Sequence, residues 1–223
     1  MHSQMTARNS QAHVAATMPR PQASGETIEL MGAVMPFARN AEIYGENEPA
    51  EYLYKVVSGA VRTYRVLNDG RRQIGAFYLP GDVFGIEVGD QHTFSAESIV
   101  DSKIMLIKRT SLVSLSSRSA DVARQLWTMA ATELQRTQDH TMLLIKTAQE
   151  RVAGFLLEMA KRAPRANAVE LPMSRQDIAD YLGLTIETVS RTLTQLENSA
   201  AIEVPTSRRI VLRNQAALSR LNG

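Results

Sequence analysis

The 223-residue sequence predicts an α+β fold in three parts: an antiparallel β-roll, a long helix after it, and a C-terminal winged helix-turn-helix. Three observations predict it. Between Tyr52 and Lys108, short β-rich runs alternate with turn residues. From Ser111 towards Arg162, apolar residues recur at helical spacing. From Ser174 to Asn198, SRQDIADYLGLTIETVSRTLTQLEN spells two short helices around a glycine.

Residues 1–26, rich in Gln, Ser, Ala and Thr with Pro19, Pro21 and Gly25, lack periodicity and large apolar side chains, which predicts a disordered tail. Residues 27–115 are assigned to the roll. Its β-rich pattern starts at Ala38, with strands expected at Tyr52 to Ser58, Ala60 to Val66, Gln73 to Tyr78, Phe94 to Val100 and Lys103 to Lys108. Asn68-Asp69-Gly70 is a hairpin signal and Pro80-Gly81-Asp82 a second turn. Phe84, Ile86 and Phe94 are expected to fill the interior.

The long helix begins near Ser111 and breaks around Lys146 to Ala148, and residues 116–146 are assigned to dimerisation. Leu126, Ala130, Leu134, Thr137, Thr141, Leu144 and Ala148 alternate four- and three-residue steps, the a/d pattern of a coiled coil. Two threonines at apolar positions and the polar run Gln135 to Thr141 make this a weak seam. The alternative is a helix packed only on its own roll. Glu150 to Lys161 predicts a further amphipathic helix through Val152, Phe155, Leu156 and Met159, stopped at Ala163-Pro164.

Residues 147–223 are assigned to DNA binding. Ser174 caps the first short helix, Gly183 ends it with a positive φ, and Thr185 caps the second, which runs to Asn198 on a buried stripe of Val189, Leu193 and Leu196. Small Ala179 lets the two helices approach closely. Ile202 to Val204 and Arg208 to Leu212 then flank Pro205-Thr206-Ser207 as a β-hairpin wing.

Glu187, Ser190 and Arg191 share one face of the second helix at i, i+3 and i+4, near the end that enters the major groove in this motif. Arg191 can donate twice to guanine O6 and N7, Glu187 can accept from cytosine N4, and Ser190 with Ile186 can contact thymine. Thr185, Thr188 and Arg175 flank this set, and Arg208 and Arg209 on the wing are expected to meet phosphate. Singly, each has a plainer reading: Glu187 favours the helix macrodipole in any first turn, and exposed arginines are often only solvated. The joint spacing favours base reading.

Over Ile28 to Leu221 the chain resembles the superfamily of the cyclic-AMP receptor protein and the fumarate-nitrate regulator. The Glu-x-x-Ser-Arg set matches the fumarate-nitrate branch, which reads TTGAT half-sites, and LPMSRQDIADYLGLTIETVSRTLTQLE is most similar to nitrogen-fixation regulators of the FixK type. The resemblance implies a cyclic-nucleotide-binding-like roll, a homodimer on double-stranded DNA at TTGAT-N4-ATCAA, and RNA polymerase as partner, contacted from exposed loops such as Gly85 to Asp90. In the cyclic-AMP branch a Gly-Glu segment and a later Arg-Ser hold ribose and cyclic phosphate. Here Gly81-Asp82 and Phe94-Ser95 stand in their place, so cyclic-nucleotide control is not expected.

Composition narrows the classes further. The absence of cysteine excludes disulfides, thiolate-held zinc and cysteine-held iron–sulfur clusters. Residues 146–223 hold 11 Lys plus Arg against 8 Asp plus Glu, leaving 14 against 15 for residues 1–145, so the basic balance lies with the helix-turn-helix. No 18-residue apolar run or apolar leader is seen, and the cytoplasm is the default expectation. His2, His13, His92 and His140 are scattered, without metal spacing, which argues against a β-roll enzyme; no catalytic, cofactor or metal residues are expected. A roll that binds haem, with His92 as the ligand, or another small molecule is the alternative regulator. A β-roll enzyme or a protein-interaction subunit, its helix-turn-helix serving protein contacts, is the alternative of another class.

Overall fold

The computed structural model describes residues 32–162 and 168–222. The tail expected over residues 1–26 and the stop expected at Ala163-Pro164 lie outside them. Among the described residues no helix is long and apolar enough to cross a membrane.

Among the described residues eight strands build the roll: β1 (Ala33–Phe37), β2 (Glu42–Tyr44), β3 (Tyr52–Ser58), β4 (Val61–Val66), β5 (Arg72–Tyr78), β6 (Val83–Phe84), β7 (Ser95–Ser98) and β8 (Ser102–Lys108). They pair antiparallel in two four-stranded sheets, ordered β1-β8-β3-β6 and β2-β7-β4-β5. Asn68-Asp69-Gly70 turns β4 into β5, with Gly70 at φ 82°. The β pattern starts at Ala33 rather than Ala38. β1 escaped the sequence reading because four of its five residues are exposed and Pro36 interrupts it, as an edge strand tolerates. β2 and β6 are too short to show a period.

Alternating side chains of both sheets meet inside: Tyr44, Tyr54, Val56, Val61, Tyr78, Phe84, Ala96 and Ile104 form one buried cluster. Of the three residues expected to fill the roll, only Phe84 is fully inside. Ile86 is exposed, and half-buried Phe94 lies over Gly75 with the Arg65 guanidinium 5.8 Å from its ring centre.

The single helix expected from Ser111 is two. α1 (Arg109–Ser116) ends before Ser117, and Ser119 accepts a hydrogen bond from Val122 N to start α2 (Ala120–Leu144). Three serines within Ser116 to Ser119 offer side-chain alternatives to the helical ladder there. The second break falls where expected, before α3 (Ala148–Arg162).

The inward face of α2 carries Val122, Leu126 and Met129, packed against Leu53, Ile107, Leu112 and Leu115. Ala130, Leu134, Thr137 and Thr141 are exposed, but Leu126 is half-buried against the roll and Leu144 is half-buried beside the cavity described below. The exposed apolar ridge runs instead through Trp127 (76% exposed), Leu134 (59%) and Ile145 (74%) just beyond the helix end. A one-residue step turns a helix by about 100°, so covering Leu126 exposes Trp127.

The C-terminal part comprises β9 (Ala168–Glu170), α4 (Arg175–Leu182), α5 (Ile186–Asn198), β10 (Ile202–Thr206), β11 (Arg209–Leu212) and α6 (Gln215–Asn222). The wing is a three-stranded sheet ordered β10-β11-β9. Its turn is Ser207-Arg208, not Pro205-Thr206-Ser207: Pro205 sits within the irregular edge strand β10, where its missing N–H costs little. Neither β9 nor α6 was read from the sequence. α6 packs on α3, where Gly154 gives the room: a Cβ there would lie 2.6 Å from Leu143 Cδ1 and 2.7 Å from Asn222 Oδ1.

Candidate nucleic-acid interface

Local chemistry sets the two helices. Ser174 Oγ accepts from Asp177 N at 3.1 Å while Asp177 Oδ2 accepts from Ser174 N at 2.9 Å, a reciprocal capping box that satisfies the free N-terminal donors of α4. Gly183, at φ 62° and ψ 40°, stops α4 in the left-handed region where a Cβ is costly. Thr185 then accepts from Thr188 N at 3.2 Å and opens α5. Val189, Leu193 and Leu196 are buried against Ile178, Ala179 and Leu182 of α4, so the opposite face of α5 is fixed outward.

On that face Thr185, Ile186, Glu187 and Arg191 are exposed, and Thr188 and Ser190 are half-buried. Backbone hydrogen bonding at its own N–H and the Thr185 hydroxyl hold the Glu187 carboxyl below the usual carboxylate range, so it is a constant acceptor. Half-buried Arg175 donates from Nη1 to Ser190 Oγ at 3.3 Å, linking α4 to the middle of α5. Arg191 makes no ion pair among the described residues, which leaves its planar donors presented to solvent. Arg208 lies in the wing turn, and exposed Arg209 opens β11 with its Nε 3.6 Å from Glu170 Oε1. Every residue expected to read or grip DNA thus lies on α4, α5 or the wing.

Sequence reasoning missed how this unit is fastened to the roll. Asp177, 3% exposed, accepts from Arg62 Nη1 at 2.9 Å and Arg72 Nη2 at 2.6 Å through one oxygen while its other oxygen serves the capping box. Arg72 also reaches Asp180 at 2.9 Å, and Arg62 reaches Glu97 at 2.9 Å. From α2, His140 stacks on Tyr181 at 3.9 Å between ring centres, with Nε2 2.8 Å from Tyr181 O. Phe77 of β5 meets Tyr181 at 5.1 Å and Phe155 at 6.3 Å. These contacts join positions far apart in the chain, so no local pattern announces them.

A cavity of about 420 Å³ lies between the roll and helices α2 and α3, lined by Tyr44, Phe84, Glu87, Glu133, Arg136 and Glu158 among others. Asp82, at the turn where the cyclic-AMP branch places a ribose-holding glutamate, is bound by this chain's own arginines. Arg136 Nη2 donates to Oδ1 at 2.5 Å, and Arg162 Nη2 donates to Oδ2. Phe94 offers no charge to a cyclic phosphate. Burial raises the carboxyl groups of Glu133 and Glu158 above the usual carboxylate range, the first while accepting from Tyr78 OH at 2.6 Å. With both arginines committed and acids nearby, these residues do not fit an anionic cyclic nucleotide. His92 is buried in a stack on Tyr44, ring centres 3.6 Å apart, with Nδ1 3.5 Å from Glu87.

Comparison with known proteins agrees with this architecture. Residues 34–119 match the model of the cyclic nucleotide-binding domain, and residues 150–221 match that of the Crp-like helix-turn-helix domain. The chain is 50% identical over 203 residues to the nitrogen fixation regulation protein FixK of Azorhizobium caulinodans, covering 88% of this chain and 82% of that protein. It is 40% identical over 189 residues to FixK of Rhizobium meliloti, covering 84% and 86%. Among solved structures, FixK2 of Bradyrhizobium japonicum superposes with a TM-score of 0.83 at 53% identity, covering 86% of this chain and 98% of that one.

Proposed function

The chain belongs to the CRP/FNR family of transcription regulators, as a FixK-type member with a DNA-binding helix-turn-helix, and from that premise we propose that it works as a homodimer on TTGAT-N4-ATCAA palindromes without an effector. The observation that carries the reading is the outward face of α5, where exposed Glu187 and Arg191 flank half-buried Ser190. One α5 enters the major groove of each half-site, and two-fold symmetry of the protein requires a palindrome. Thr185, Ile186, Thr188 and Arg175 support base and phosphate contact at the same end, and Arg208 and Arg209 grip the backbone from the wing. The working parts are the roll over residues 27–115, the dimer helix over 116–146 and the DNA-binding part over 147–223.

The exposed ridge of Trp127, Leu134 and Ile145 supports α2 as the dimer seam, in a register one residue from the a/d series at both ends. The Asp82 clasp supports independence from a ligand, because Arg136 and Arg162 already tie the roll to α2 and α3. The relatives are named nitrogen fixation regulation proteins, and on our reading the genes controlled here serve nitrogen fixation or low-oxygen respiration, with the protein acting in the cytoplasm, mostly as an activator. Polymerase is met through the loop at Gly85 to Asp90, where Ile86, Val88, Gly89 and Asp90 are exposed.

Fluorescence anisotropy of protein without added effector, against the intact palindrome and a half-site-scrambled duplex at about 0.15 M salt, tests the reading. Preferential binding of the palindrome is expected. Equal binding of both duplexes would overturn the assigned operator.

A further inference from the structure

A second cavity, of about 250 Å³, opens where the roll meets the DNA-binding part, and Arg39, Arg62, Arg72 and Arg208 all line it. Arg39 and Asn40 come from the loop between β1 and β2, Arg62 from β4, Arg72 from β5, Ser174 from the cap of α4, and Arg208 from the wing turn. Asp177 is the one acid among the described residues of the lining. Its Oδ1 already accepts from Arg62 and Arg72, and its Oδ2 from the Ser174 N–H and hydroxyl, so it has no acceptor capacity left for the remaining cations. Glu97 accepts from Arg62 Nη2 and Asp180 from Arg72 Nε, while the Asp101 carboxylate beside Arg39 accepts from that residue's backbone N–H rather than from its guanidinium.

Two further facts point to an acceptor from outside the chain. Arg62 is only 9% exposed, yet its buried Nε has no hydrogen-bond partner. A buried donor left unmatched is unfavourable and calls for a partner. The Arg39 and Arg208 side chains make no hydrogen bond or ion pair among the described residues, although they approach the same cavity from opposite parts of the fold. We propose that this cavity is a phosphate-binding site, in which an oxyanion bridges Arg39 and Arg62 of the roll to Arg208 of the wing. The planar forks of arginine suit a phosphate, and the volume is that of roughly eight water molecules, enough for a phosphate or phosphomonoester head. The phosphate comes from a small solute or from the DNA backbone that the wing grips. In either case its binding joins the roll to the wing.

The test uses the full chain and Arg39→Gln, which removes an exposed lining charge outside the DNA-reading set and the core. Binding of inorganic phosphate is followed by calorimetry and by the thermal midpoint, against chloride at matched ionic strength. DNA binding of both proteins is followed by anisotropy across a salt series in phosphate-free buffer. A solute site gives saturable phosphate binding that Arg39→Gln weakens at least tenfold, with DNA affinity in phosphate-free buffer unchanged. A backbone site gives no phosphate binding in the free protein, but Arg39→Gln lowers affinity for all duplexes alike and reduces the log–log salt slope by about one phosphate contact. Phosphate acting only as chloride does, with Arg39→Gln leaving DNA affinity and salt slope unchanged, overturns the proposal. The phosphate titration needs no DNA, so its result stands apart from the operator reading.

Discussion

Arg191 stands exposed on α5 with no carboxylate partner among the described residues, while Arg175, at the start of α4, is half-buried and donates across to Ser190 of α5. The first is free to spend its paired donors on a base edge; the second braces the helix that carries them. Arg191→Ala should therefore cost about 1 to 3 kcal/mol per half-site and flatten the preference at one guanine, measured by competition between duplexes differing at that base. Full discrimination retained by the variant would exclude Arg191 from the reading set. Ser174, Gly183 and Thr185 were legible because capping and left-handed turns act within a few residues. Asp177 was legible only as part of that box. Its ion pair with Arg62 spans 115 positions, and nothing near Asp177 in sequence distinguishes a buried hub from an ordinary first-turn acid.

At the scale of elements, the hydrophobic period located α2, but its phase had two solutions. Leu126 and Trp127 are both large and apolar, and the sequence does not say which one the roll covers. The fold covers Leu126 with Leu53, Ile107 and Leu115, leaving Trp127 on the exposed ridge with Leu134 and Ile145. Trp127→Glu should weaken self-association at least tenfold, read by sedimentation, and should lower palindrome affinity while half-site affinity is kept. An unchanged dimer would remove Trp127 from the seam. Since Trp127 is the chain's one tryptophan, its emission should also shift to the red on dilution of the wild type, as the ring passes from apolar contact to water. β1, β2, β6 and β9 were missed for a different reason: an exposed edge or a run of two or three residues does not display the period-two pattern on which strand reading depends.

For the whole molecule, the connection between roll and DNA-binding part rests on the Asp82 clasp, the Asp177 hub and the His140–Tyr181 stack. Asp82→Asn removes the charge that draws Arg136 and Arg162 together. On the effector-free reading it should lower palindrome affinity by about tenfold, or 1.4 kcal/mol, without altering preference among bases. Equal affinity in the same anisotropy assay would show that the clasp does not set the binding-competent arrangement. Acid should loosen the stack as well. Burial holds the His140 imidazole below its ordinary value of 6.5, against a smaller opposing effect of the Tyr181 carbonyl. The unfolded chain therefore takes up a proton before the folded one does, and stability is full above about pH 6.5 and falls as pH drops through that value. His92, lowered chiefly by burial too, adds to the same slope. The nearby acids Glu133 and Glu158, raised by burial, act in the opposite sense, in the acid range above 4.5. Urea midpoints at pH 7.5 and 5.5 should show the loss, and His140→Gln should reduce it. An unreduced slope would place the titration elsewhere.

The sequence by itself determined the helix-turn-helix, most roll strands, the break before α3 and the outward residues of α5. Each is written in short-range terms: a cap, a turn glycine, or an apolar period read over one element. Only the tertiary structure decided the phase of α2, the place of α6 against Gly154, and the ties that Asp82, Asp177 and His140 make across the molecule. Those depend on which surfaces meet after the chain has folded back, and a charge or ring in the sequence carries no record of a partner 41 to 115 positions away.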